Sequence, residues 1–250
     1  MRKESVINKE AWEYKAYEFF VKSDGLPSEC AKDIMKSPIR KLKKHGKYFK
    51  NIKGLKIANP CGSNGRRAVA LSLLGADVTI FDICEGNKRY ALELADCANV
   101  KLNYVIGDLY DLDIKTYRNY FDMLYLEGGI LHYFYDIDKL MNLLFTILKP
   151  GGKIVLNDFH PFRKVMIINY FKSTIGDYFD DSIHQGDVAY KDFLDEEDKG
   201  SCPCCAYRLY TISEIINSMI RNGFIIREFN EDPSWTDEKL PGEFTIYAMK

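Results

Sequence analysis

Long apolar runs are missing from this chain. No segment approaches the ~18 to 20 consecutive apolar residues that a membrane-spanning helix requires, and Met1 to Glu10 is too polar for a secretory signal. A membrane partner is therefore not expected, and a cytoplasmic location is. Charge of one sign is missing too: the formal net charge is -1, which supplies no field to draw nucleic acid or acidic lipid. The one basic cluster, Lys41, Lys43, Lys44, Lys47 and Lys50, falls on an expected helix and reads as a solvated face. Seven cysteines, an odd number, are scattered apart from Cys202-Pro203-Cys204-Cys205. This is not a disulfide framework, and no second pair lies nearby to complete a four-ligand zinc site, so mostly free thiols and no metal are expected. Internal repeats and low-complexity tracts are absent as well. What remains is an ordinary soluble chain of 250 residues, long enough to bury one core as a single domain, either monomer or homodimer.

What is present is alternation. Residues Asn8 to Phe49 carry an aromatic-rich amphipathic run, a break at Asp24-Gly25-Leu26-Pro27 and a second run, which together predict two or three helices as a cap over 1–53. From Gly54 short apolar runs alternate with helical stretches. Strands are predicted at Leu55 to Ala58, Val78 to Phe81, Leu102 to Ile106, Met123 to Leu126 and Ile154 to Leu156. Helices are predicted at Arg66 to Leu74, Glu85 to Cys97 and Ile137 to Leu148, the last ended by Lys149-Pro150-Gly151-Gly152. Such alternation builds a mostly parallel sheet with crossover helices over 54–158. Residues 159–210 lack a clean period but hold Tyr170, Phe171, Tyr178, Phe179, Tyr190, Phe193, Tyr207 and Tyr210, so they are expected to form a lid or small subdomain rather than a structureless loop. Residues 211–250 open with Thr211-Ile212-Ser213-Glu214, a helix start, and close with two strand-like runs, Phe224 to Phe229 and Glu243 to Met249. Their connection is too short for a crossover helix, so this pair must be antiparallel. The fold expected is α/β, a Rossmann-like doubly wound sheet of seven strands in the order 3-2-1-4-5-7-6.

Four strand ends carry chemistry. The first turn reads Asn59-Pro60-Cys61-Gly62-Ser63-Asn64-Gly65, where glycine lets backbone approach a ligand and the next helix offers its first amides. Asp82 ends the second strand, placed to accept both ribose hydroxyls of a nucleoside or else to cap the helix near Glu85. Gly107-Asp108 ends the third strand, where the carboxylate suits an adenine amino group or a simple turn. Glu127-Gly128-Gly129 ends the fourth. Ligands of open α/β sheets sit beyond such strand ends.

This set of motifs resembles the class I S-adenosylmethionine-dependent methyltransferases over Leu55 to Lys250. The resemblance rests on Cys61 to Gly65, Asp82, Gly107-Asp108, Phe121-Asp122 and Leu148-Lys149-Pro150-Gly151-Gly152, together with the reversed last strand. It implies S-adenosylmethionine as cofactor, S-adenosylhomocysteine as product, and cofactor contacts from Asn59 to Gly65, Asp82, Ile83, Gly107, Asp108, Leu109 and Glu127 to Gly129. The family usually has an acid where Asn59 stands, and glycines in place of Cys61 and Ser63. Binding here then leans on backbone carbonyls, Glu127 or aromatics of the N-terminal helices.

Methyl transfer asks the protein to align a nucleophile, exclude water and remove a proton where needed. His132, just past the fourth strand, is the first candidate base, since imidazole titrates near neutrality; a histidine bonded to backbone is the plain alternative. Asp158 and His160 follow the fifth strand and would share one face with it, forming a cluster with His132. His184 is expected to be exposed. The aromatic insertion and the missing basic surface imply a small-molecule acceptor. Two rivals stand beside this reading: a module that binds the cofactor without catalysis, and an NAD-dependent oxidoreductase, which the missing three-glycine spacing and the reversed strand disfavour.

Overall fold

The computed structural model describes residues 1–162, 177–235 and 237–250. Tyr170 and Phe171 of the aromatic insertion lie outside the described residues. Among the described residues there are nine strands: β1 Lys56–Pro60, β2 Asp77–Asp82, β3 Asn103–Ile106, β4 Phe121–Leu126, β5 Leu148–Phe159, β6 Ile183–Asp187, β7 Cys204–Arg208, β8 Ile225–Pro233 and β9 Pro241–Met249. Seven of them form one sheet in the order β3-β2-β1-β4-β5-β9-β8, while β6 and β7 pair separately. The predicted order is thus found, with the numbers of its last two strands raised by a strand pair that the insertion's aperiodic sequence concealed. β1 pairs in parallel with β2, and β2 with β3. β9 runs antiparallel to both β5 and β8.

Local chemistry accounts for the elements. β2 buries every residue after Asp77, as expected of a strand covered on both faces. The break at Asp24-Gly25-Leu26-Pro27 separates helix α2, Ala16–Asp24, from α3, Pro27–Lys36, with Gly25 at φ 85° and Pro27 opening the next helix. A further helix, α1 Lys3–Glu13, precedes them. Helix α4, Arg66–Leu73, follows β1, and α5, Glu85–Cys97, follows β2. Helix α6, Ile137–Ile147, starts at Asp136, whose carboxylate accepts the Lys139 amide, and gives way directly to β5 at Leu148. Helix α7, Ile212–Arg221, is opened by Thr211 and Glu214 in reciprocal capping bonds. The lysine cluster departs from expectation. It spans a four-residue turn of helix, Pro38–Lys41, and a 3-10 segment, Lys43–Tyr48, instead of one regular helix. Lys43 at φ 49° interrupts the helical path.

The chain forms two compact units. The first takes Met1–Asp113, Phe121–Met123 and Gln185–Ala206; the second takes Ile114–Tyr120, Leu124–His184 and Tyr207–Lys250. In the first, α1 is pinned to β7 by Asn8, whose side chain donates to Ala206 O (3.0 Å) and accepts from Ala206 N–H (2.7 Å). The Tyr190 hydroxyl reaches the carbonyls of Ala11, Trp12 and Tyr14 at 3.2, 3.1 and 2.8 Å, and its ring stacks on Phe19 at 4.6 Å. This part of the insertion is an accessory core. Among the described residues, no helix is long and apolar enough to cross a membrane.

Candidate functional site

In the first unit the turn after β1 is held from three sides. Cys61 N–H donates to Phe81 O at 2.7 Å, Ser63 N–H donates to Asp82 Oδ2 at 2.9 Å, and the Tyr104 hydroxyl donates to Ser63 O at 2.8 Å. The two positions at which sequence reasoning missed glycines keep a glycine-like backbone: Cys61 has φ 52° and Ser63 φ 49°. Gly62 matters for space instead, because a Cβ there would stand 2.5 Å from Asn59 Oδ1.

Asp82 is buried at the end of β2. Burial pushes its carboxyl up from the usual range, while donors from Cys84, Ser63 and Asn87 pull it back. The helix cap left open for Asp82 falls to Cys84, whose Sγ accepts the Asn87 amide at 3.3 Å. Asp82 Oδ1 accepts from Cys84 N–H (3.0 Å) and Asn87 Nδ2 (3.3 Å). Asp108, also buried, accepts the Tyr110 amide on one oxygen (2.9 Å) and the Ser5 hydroxyl on the other (2.6 Å). Glu13 lays its carboxylate on the first amides of α5, Glu85 N–H at 2.6 Å and Gly86 N–H at 3.2 Å, where the helix dipole favours an anion.

These residues fit a nucleoside. Two buried carboxylates stand at neighbouring strand ends, and beside Asp82 the Asn87 Oδ1 atom is buried without a hydrogen-bond partner. A hydroxyl donor there would relieve a cost of about 1–3 kcal/mol. Ser5, Glu13, Asn87 and Tyr104 escaped the sequence reading. All four lie outside the strand-end motifs, and only spatial proximity reveals them.

The second unit holds the remaining candidates. Tyr125 donates to the Glu127 carboxylate at 2.8 Å. Gly128 and Gly129 have φ 96° and 79°, and a side chain at 129 would run into the Phe159 ring. The chain then turns, and Asp158 holds that turn: its Oδ2 accepts from Ile130 N–H and Leu131 N–H, both at 2.8 Å, and its Oδ1 from Phe159 N–H at 2.7 Å. A cavity of about 30 Å³ is lined by Leu131, His132, Asp158, Phe159, Pro161, Asp177, Tyr178, Leu209, Tyr210 and Ile215. The His132 ring is half-buried, 4.0 Å from Tyr133, perpendicular to Tyr207 at 6.1 Å and nearly parallel to Phe159 at 6.5 Å. The Tyr210 hydroxyl donates to Phe134 O, and burial pushes it up to about 12.

His160 does not join this group. It is 1% exposed, its Nδ1 accepts the Phe162 amide at 3.2 Å and its Nε2 faces Glu231 at 3.0 Å. An acceptor Nδ1 places the ring proton on Nε2, so the ring donates to Glu231. The expected cluster of His132, Asp158 and His160 is therefore corrected: the chain leaves β5 after Phe159 and carries His160 against Phe162 and Phe244. His184 stacks on Tyr207 at 5.4 Å with Nε2 at 3.2 Å from Asp180. All seven cysteines are free thiols, and among the described residues no group of three or more His, Cys, Asp or Glu could hold a metal ion.

Residues 60–156 match the family model of a methyltransferase domain. The matched segment runs from the end of β1 to within β5. Among solved structures it is similar to an S-adenosylmethionine-dependent methyltransferase from Mesorhizobium loti, with 20% identity, TM-score 0.62 and coverage of 82% of this chain and 97% of that one. A methyltransferase from Methanosarcina mazei gives 18% identity, TM-score 0.60 and coverage of 81% and 95%. The magnesium protoporphyrin IX methyltransferase of Synechocystis PCC 6803, solved with bound S-adenosylhomocysteine, gives 14% identity, TM-score 0.61 and coverage of 99% and 100%. At these identities the likeness shows the fold. No curated protein matches the sequence. The comparisons support neither the oxidoreductase nor the non-catalytic module.

Proposed function

We propose that this chain is an S-adenosylmethionine-dependent methyltransferase acting on a small organic acceptor that binds against the aromatic lining around His132 in the second unit, with His132 as the group that takes the acceptor's proton. The observation that carries the reading is the lining itself, made of aromatic and aliphatic side chains around one imidazole, with two carboxylates, Asp158 and Asp177, that accept backbone amides. Among the described residues it holds no lysine or arginine, which suits an uncharged, flat acceptor better than a phosphorylated or carboxylated one. From the expected lid, 159–210, Pro161, Tyr178, Leu209 and Tyr210 line this cavity and contact the acceptor in this reading.

Cofactor binding is assigned to the turn Asn59 to Gly65, to Asp82 with Ile83 and Asn87, to Gly107, Asp108 and Leu109, and to Glu127, Gly128 and Gly129. S-adenosylmethionine supplies a methyl group already activated by its sulfonium. The chain's own work is to bind and orient. Asp82 accepts ribose hydroxyls, Asp108 accepts the adenine amino group, and Asp158 positions the turn carrying His132 through the Ile130 and Leu131 amides. Asp158 is thus a positioning residue, since its oxygens are spent on backbone amides, and His160 has no part in the chemistry.

The test is turnover of labelled S-adenosylmethionine against fractionated small-molecule extracts. A methylated product should form, and His132→Gln should lower its rate about 10²- to 10⁴-fold while leaving S-adenosylhomocysteine binding unchanged. Full turnover by His132→Gln, or labelling confined to protein or nucleic acid, refutes the proposal.

A further inference from the structure

The cavity beside His132 measures about 30 Å³, whereas one that takes up a benzene ring measures about 150 Å³. The flat acceptor proposed above therefore enters it only by its reacting edge, and the rest of the molecule lies outside. Three large aromatic rings continue the lining outward. Trp235, 69% exposed, meets the cavity-lining Phe159 edge-on at 6.2 Å. Phe162, 46% exposed, stacks on the cavity-lining Tyr178 at 5.2 Å, and Phe179, 78% exposed, stands perpendicular to that same ring at 5.1 Å. Large apolar side chains scattered singly over a surface need no explanation, but three in ring contact with the walls of one cavity do.

These rings are held in place by their surroundings. Ser234 N–H donates to Leu240 O at 2.7 Å. Gly242 lets the loop that carries Trp235 close, since a Cβ there would stand 2.4 Å from Ser234 Cα. The Tyr178 hydroxyl accepts the first amide of α7 at 3.0 Å, and Asp177 accepts Phe179 N–H at 2.8 Å. We propose that the acceptor is an elongated amphiphile, with a compact flat head that meets His132 and an apolar arm laid across Phe162, Phe179 and Trp235. The inference rests on the acceptor site being the one around His132. An arm on this surface leaves water on one side only, so each methylene strengthens binding about twofold, against about fourfold for full burial.

The experiment is calorimetry on the full chain, in the presence of S-adenosylhomocysteine, with 4-methylphenol, 4-butylphenol and 4-hexylphenol as probes. Five added methylenes should make 4-hexylphenol bind about 30-fold more tightly than 4-methylphenol. Trp235→Ala and Phe179→Ser each replace an exposed ring, and the double variant should cut that rise to about fivefold or less while leaving 4-methylphenol within about twofold. Failure of 4-hexylphenol to bind more tightly than 4-methylphenol overturns the proposal, as does a rise that persists undiminished in the double variant. The labelled product formed from extracts should also pass into octanol. A His132-dependent product that stays in water overturns this inference and leaves the acceptor reading standing, whereas the absence of any small-molecule product overturns that reading and the inference with it.

Discussion

Replacing Ser63 by glycine should stabilise the chain, although glycine usually weakens a folded protein. Ser63 has φ 49°, a conformation that costs an L-residue about 1–2 kcal/mol. Its backbone N–H donates to Asp82 and its carbonyl accepts from Tyr104, and both bonds survive the substitution. Against the relief stands the larger freedom of glycine in the unfolded chain, about 0.4–1 kcal/mol. The difference is a gain of about 0.5–1 kcal/mol, which for a chain of this length raises the melting temperature by about 1–4 °C. Ser63→Ala keeps the Cβ and loses only the hydroxyl, so it should leave the melting temperature within about 1 °C. Scanning calorimetry of the three proteins side by side decides. A rise in Ser63→Ala equal to that in Ser63→Gly would show that the hydroxyl, not the backbone, carries the cost. A fall in Ser63→Gly refutes the strain outright.

Two further outcomes follow from buried hydrogen bonds. Asn8→Ala leaves the Ala206 N–H and carbonyl without the side chain that meets them at 2.7 and 3.0 Å, and should cost about 2–4 kcal/mol in denaturant unfolding; a loss below ~0.5 kcal/mol would mean that α1 is not held there. His160 is neutral in the folded chain, because burial lowers its pKa despite the pull of Glu231. The unfolded chain protonates it near pH ~6.5, so its stabilising share is complete above that pH and is lost as the pH falls toward the lower, folded-state value. His160→Gln, which can keep both hydrogen bonds, should flatten the decline in melting temperature between about pH 7 and pH 5.5; parallel curves for the two proteins would contradict this.

Periodic segments were legible in the sequence and aperiodic ones were not. Helix α5 falls where its pattern predicts, at Glu85–Cys97, and α4 differs by one residue at its end. β1 to β4 each lie within two residues of the expected runs; β1, β2 and β4 are mostly buried and so demand consecutive apolar residues, while β3 is only half-buried. β6 and β7 were invisible. Ile183–Asp187 alternates in exposure without burying a residue fully, and a strand of that kind leaves no hydrophobic signature. The lysine cluster misled for the opposite reason: its charge spacing suggests one helix, but Lys43 takes a left-handed backbone that no charge pattern reports.

The site divides along the same line. Residues placed at strand ends, Asp82 and Asp108, can be found by counting from a glycine turn, and both occupy those ends in the fold. Their partners cannot be found that way. Ser5 meets Asp108 across 103 positions and Asn64 meets Asp24 across 40, separations at which no local spacing rule operates. The departure at Asn59 was visible in the sequence as a loss of charge. A carboxylate from α2, Asp24, stands against the first residue after the turn and is paired there with Arg66. A missing motif residue therefore says only that the turn does not carry the group itself. Whether the site lacks the group depends on what the fold packs beside the turn, and here that neighbour is an N-terminal helix whose sequence carries no motif at all.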